Sequence, residues 1–145
     1  MGVTALVALP AETRCWLQRP QTEDKCYRDK GATRSKRVVV ASTNAPCSVA
    51  TVAASLPASR WYRRTVSEGT KGAITYAFAR QRVTLCKEGL PDRTVWLVIQ
   101  RTLGAAPVSA YYISTAPAST PLRTFVWLSG VRWAIEQCFA EGKTE

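Results

Sequence analysis

A carboxylate set between two cations on one helical stripe is the feature of this sequence best suited to chemistry. At about 100° per residue, with Arg132 as zero, Glu136 falls at about +40°, Phe139 at about −20° and Lys143 at about +20°. Trp133 at about 100° and Ile135 at about −60° flank the stripe, so its charges lie within the apolar face of the helix instead of opposite it. One reading is an i, i+4 ion pair between Arg132 and Glu136, in the weaker Arg-before-Glu order and worth about 0.3–0.5 kcal/mol. The other is a metal-binding carboxylate between two cations that grip phosphates.

Composition narrows the alternatives. The chain of 145 residues contains no histidine, which removes imidazole-based triads, His-bearing zinc sites and a switch titrating near neutrality. Its five cysteines, Cys15, Cys26, Cys47, Cys86 and Cys138, form no C-x-x-C pair and read as free cytosolic thiols. The run from Met1 to Pro10 lacks the charged leader of a signal peptide, and no segment approaches the ~20 apolar residues of a membrane span. The expectation is an intracellular protein. With 46% hydrophobic residues, the length suits one domain or part of a larger one.

The net charge of +10 is unevenly placed. Residues 14–37 carry eight basic side chains against three acidic, and residues 60–87 carry seven against one. Residues 88–145 hold five of each. Two basic segments imply a surface that tracks phosphates, although solubilising loops are the plainer reading.

The elements that must carry these residues can be read coarsely. Val3 to Pro10 suits a buried strand, and Ala11 to Lys36, without periodicity, reads as a long basic loop. Ser48 is placed to cap a helix over Val49–Leu56 that buries Val49, Val52, Ala53 and Leu56 and stops at Pro57. Ala73–Leu85 reads as a long strand whose apolar phase shifts, implying a bulge. Gly89–Asp92 turns the chain into Thr94–Arg101, and Ser109–Thr115 completes an antiparallel meander. After Pro117 and Pro121 the pattern is helical, with Gly130 interrupting or bending it. The sequence stops at Glu145 with no Gly or Pro cap, which implies a truncated chain.

Arg132-x3-Glu136-x6-Lys143, with Trp133 after the arginine and Ile135 and Phe139 in place, resembles the C-terminal signature of DDE transposases from bacterial insertion sequences, the tyrosine-arginine-glutamate-lysine group. The Ala5–Pro10 strand, Thr13, Arg14 and Trp16, the Glu68–Gly72 turn and the Trp96–Ile99 strand extend the resemblance over nearly the whole chain. The signature tyrosine position is Ser129. The resemblance implies an α+β chain: a partial ribonuclease-H-like fold with a β-rich insertion at 13–101 and a C-terminal helical segment at 117–145 carrying the catalytic Glu136. It implies that Glu136 is the third ligand of a two-metal Mg²⁺ or Mn²⁺ site for DNA cleavage and strand transfer in transposition. Arg132 and Lys143 would then hold DNA phosphates, with Arg63, Arg64 and Lys71 as further backbone contacts. It also implies transposon-end DNA as partner, a homodimer in the intact protein, no membrane, and a cytoplasmic, nucleoid location.

Two aspartates of that triad belong on strands upstream of these residues. Asp24, Asp29 and Asp92 all read as solvated. One carboxylate of three cannot hold a metal pair, so the isolated chain is expected to lack nuclease and strand-transfer activity. Trp61 and Trp96 read as core aromatics or as stacking platforms for an unpaired base. The competing identities are a stand-alone basic nucleic-acid-binding module and an interaction protein with solubilising loops.

Overall fold

Strand periodicity of two and two tight turns organise most of the chain. In the computed structural model, which describes residues 5–40, 45–67 and 72–131, the strands are β1 (Val7–Leu9), β2 (Arg14–Trp16), β3 (Thr22–Asp29), β4 (Ala32–Val39) and β5 (Cys47–Ser48). They continue with β6 (Tyr62–Ser67), β7 (Ala73–Lys87), β8 (Leu90–Thr102) and β9 (Ser109–Ser114). Helix α1 spans Val49–Ser55, a 3₁₀ turn spans Ala58–Arg60, and the described part of α2 covers residues 122–131. The architecture is α+β. Among the described residues no helix is long and apolar enough to cross a membrane.

Seven strands form one sheet in the order β1-β9-β8-β7-β2-β5, with β6 alongside β2 on β7, and every pairing in it is antiparallel. The fifteen-residue β7 is long enough to hold two neighbours end to end on one edge. Its first part pairs with β6 and its last part with β2. The β7–β8–β9 meander is the one expected from sequence. Between β7 and β8 the loop is only Glu88-Gly89, both with positive φ (54° and 79°), the signature of a type I′ hairpin turn. The turn is therefore tighter than the expected Gly89–Asp92, and Pro91 and Asp92 lie inside β8, near its start.

A helix lies against each face of the sheet. On one face Val49, Val52 and Ala53 of α1 pack with Cys15, Ala79, Val83, Val95, Leu97 and Ile99. On the other, Phe125 of α2 packs with Leu6, Trp96, Val98 and Ala116. Because both faces are covered, β8 is buried continuously from Val95 to Ile99, odd positions to one helix and even positions to the other. The same two-sided burial explains the phase shift in β7. Pairing runs unbroken from Tyr76 to Thr84, so the change from even to odd apolar positions is not a bulge; the irregularity falls later, between Thr84 and Cys86.

Helix α1 forms as expected. The Ser48 hydroxyl accepts a hydrogen bond from the Thr51 N–H at 3.1 Å, a cap worth about 1 kcal/mol. Its first turn is tied to the residue before β2 by Val49 N–H to Thr13 O at 2.8 Å.

Three expectations are corrected. Of the buried strand expected over Val3–Pro10, the described part forms β1, an edge strand paired among the described residues with β9, and Val7 is 56% exposed. The expected long loop over Ala11–Lys36 contains β2 and most of a β-hairpin, β3–β4, which forms its own two-stranded sheet. That hairpin eluded periodicity because both of its faces are exposed over most of its length and carry mixed polar residues. Lys30-Gly31 closes it with the same doubly positive φ. Gly130 does not interrupt the last helix; it is helical, with Val131 after it.

Cys15, at the centre of β2, is fully buried. Burial, with Cys47 and Cys86 adding to it, pushes its thiol from an ordinary 9.0 up to about 12. The folded state therefore favours the neutral thiol. That contribution to stability is fully present below pH 9.0 and is lost as pH rises from there towards 12. Urea unfolding across this window is expected to show the wild-type chain losing stability faster than Cys15→Ala. Parallel pH profiles for the two proteins would contradict the burial argument.

Candidate nucleic-acid interface

Antiparallel register sets four arginines around two aromatic rings. Arg80 and Arg82 are two apart on β7, so both project to the α2 face, where Arg82 is the direct partner of Trp96 on β8. Their guanidinium carbons lie 4.4 Å and 5.2 Å from the Trp96 ring centroid, within cation–π range. Trp96 is anchored further by its indole N–H, which donates to Pro117 O at 2.9 Å, and by the tilted Phe125 ring at 6.0 Å.

β6 and the 3₁₀ turn complete the cluster. Arg60 Nη2 donates to Arg80 O at 2.9 Å, and Arg64 lies over the Tyr62 ring at 5.4 Å. Arg80 Nη1 also donates to Thr120 O, bracing the loop before α2. Between these groups opens a cleft of about 380 Å³ lined by Arg60, Tyr62, Arg64, Arg80, Trp96 and Leu122.

The electrostatics are one-sided. Two ion pairs occur among the described residues, Arg34–Asp29 at 3.5 Å and Arg37–Asp24 at 3.2 Å, and both lie on the β3–β4 hairpin. The three arginines of the cleft, Arg60, Arg64 and Arg80, and Arg82 beside them on the Trp96 ring have no carboxylate partner among the described residues. Partial burial and then the neighbouring Arg60 lower the proton affinity of Arg80. Arg82 Nη1 is buried with no hydrogen-bond partner among the described residues, and its Nη2 reaches Thr94 O only at 3.5 Å. Such a set of donors, clustered against their own repulsion, is arranged to accept an anion with several oxygens.

The residues expected from sequence fare unequally. Arg64 lines the cleft, but Arg63 is its neighbour on β6 and projects to the opposite face, so the two do not share one surface. Lys71, Arg132, Glu136 and Lys143 lie outside the described residues. Trp96, 7% exposed with its N–H satisfied, is a core aromatic. Trp61 packs partly buried against the α1 core, with the Arg101 guanidinium 3.8 Å above its ring. Sequence reasoning missed Arg60, Arg80 and Arg82. The signal for the last two was their period-two phase with Phe78, which put charges on a face that a helix covers.

The cleft supplies cations and stacking surfaces, and among the described residues it contains no carboxylate to act as base or ligand. No group of three His, Cys, Asp or Glu that could hold a metal ion occurs among the described residues. The arrangement suits binding of phosphates. The chain matches no family model, no curated protein and no solved structure.

Proposed function

We propose that this chain binds DNA through the arginine-lined cleft and belongs to a DDE transposase, as part of its ribonuclease-H-like catalytic domain and β-rich insertion. The observation that carries the binding is the convergence of Arg60, Arg64 and Arg80 on one cleft, with Arg82 beside them on the Trp96 ring, without a carboxylate among the described residues. The transposase assignment rests on the Arg132-x3-Glu136-x6-Lys143 spacing. In the intact enzyme Glu136 would supply one oxygen ligand to Mg²⁺ or Mn²⁺, and the ions, when bound, would supply charge stabilisation for displacement at phosphorus. Arg132 and Lys143 hold the neighbouring phosphates. Two further carboxylates are needed, so this chain alone binds without cutting.

The β3–β4 hairpin offers a second basic surface. Lys25 faces Lys36 directly across it, a like-charge pairing that costs stability in isolation and is relieved by a polyanion. The test is fluorescence anisotropy of the full chain with labelled duplex DNA over a salt series, which is expected to show affinity falling steeply with salt. A flat salt response, or no binding at low salt, contradicts the proposal.

A stand-alone binding module without catalysis is the second reading, favoured by a sheet that has a helix packed on each face. Glu136→Gln separates the two. Both readings expect unchanged DNA binding by the chain; only the transposase reading expects the equivalent change in an intact relative to abolish metal-dependent cleavage.

A further inference from the structure

Two thiols face each other where β2 and β5 pair, beside β7, and DNA binding uses neither of them. Cys15 of β2 has Cys47 of β5 as its direct antiparallel partner. On its other side it faces Leu85 of β7, the residue before Cys86. Facing residues in such a ladder have Cα atoms about 4.5–5.5 Å apart, inside the range of about 4.4–6.8 Å that disulfides span. The two side chains point to the same side of the sheet, and Cys47 adds to the upward shift of the Cys15 thiol. Cys15 is fully buried in the α1 core, whereas Cys47 is only partly buried at its margin.

We propose that Cys15 and Cys47 are a redox-active pair that closes to a reversible disulfide when the chain meets hydrogen peroxide. Cys47 reacts first. Its thiolate attacks one peroxide oxygen, the O–O bond breaks, and the departing hydroxide takes up a proton to become water, leaving Cys47 as a sulfenic acid. The Cys15 sulfur then attacks the Cys47 sulfur; the S–O bond breaks, and hydroxide leaves as water with the Cys15 proton. Two thiols lose two electrons in all, and one peroxide becomes two waters. The order follows from access: Cys15 is sealed from solvent and holds its proton tightly, which makes it a poor first nucleophile, and its part in the second step rests on its place directly opposite Cys47. The bond ties β2 to β5 and so closes the segment that carries the basic β3–β4 hairpin at its base.

The pair can be tested independently of DNA binding. The reduced full chain is treated with hydrogen peroxide, remaining thiols are trapped with N-ethylmaleimide, and unreduced peptides are read by mass spectrometry. The expected product is a Cys15–Cys47 cross-link that dithiothreitol removes. It should vanish in Cys47→Ser and persist in Cys86→Ser and Cys26→Ser, with melting by circular dichroism confirming that each variant is folded. Cys47→Ser is preferred to a Cys15 variant because the partly exposed position accepts a hydroxyl. The proposal is overturned if Cys47 proceeds to a sulfinic acid while Cys15 stays reduced, or if Cys26, Cys86 or Cys138 is the dominant partner. It is equally overturned if the chain unfolded in urea gives the same cross-link in the same yield.

Discussion

Replacing Arg60 and Arg64 together with glutamine is expected to make the salt dependence of DNA binding shallower. Each phosphate that the protein no longer neutralises lowers the slope of log K against log salt by about 0.9, so the full effect is about 1.8. Glutamine keeps a hydrogen-bonding group and much of the side-chain length, so the change removes charge more than packing. Arg80 and Arg82 are left in place because both guanidiniums cover Trp96 and Arg80 also braces Thr120 O, and their loss would confound binding with folding. Arg101→Gln is the matched control: it lies over Trp61 on the α1 side and should leave the slope nearly unchanged. A double variant that is folded and keeps the wild-type slope sinks the cleft as the binding site, and would shift attention to the β3–β4 hairpin.

Trp96→Ala is expected to cost about 3–5 kcal/mol in urea unfolding, the range for truncating a large buried aromatic. The residue joins three parts of the molecule: β8 through its backbone, α2 through Phe125, and the segment before α2 through Pro117 O. Truncation opens a cavity, strands that carbonyl, and leaves Arg80 and Arg82 without the ring that offsets their mutual repulsion. Trp96→Phe keeps a ring and loses the N–H, so it should cost about 1–3 kcal/mol. A loss below about 1 kcal/mol for the alanine variant would contradict the role given to this residue, since typical domains hold only about 5–15 kcal/mol in total.

The elements legible in the sequence were those with a single dominant signal. Ser48 before an apolar helical face, and strands separated by Gly and Pro, announced α1 and the β7–β9 meander. The β3–β4 hairpin was hidden because it buries almost nothing, so its residues carry no period. Lys30-Gly31 was the one local mark of it, and a Lys-Gly turn is weaker than Asn-Gly. The cleft was half legible. Its charge was visible as an excess over residues 60–87, but which arginines converge depends on register, and register placed Arg64 with Arg80 and Arg82 while turning Arg63 away. The stripe of Arg132, Glu136 and Lys143 was the clearest chemical pattern in the sequence, and it lies outside the described residues.

The way β7 shares one edge between two neighbours has a kinetic meaning. Its β8 partner is joined by a two-residue turn, whereas β2 reaches it from Cys15 to Leu85, and β1 pairs across an even longer span, Val7 with Ile113. Loop-closure entropy must be overcome before those distant pairings contribute, so the β7–β9 meander forms early and β1 and β2 dock onto it late. In stopped-flow experiments Leu97→Ala should therefore slow refolding, while Leu9→Ala should chiefly speed unfolding. Until that docking is complete, the free edges of the meander are open to pairing with another copy, and the chain's slowest folding step is also its most aggregation-prone one.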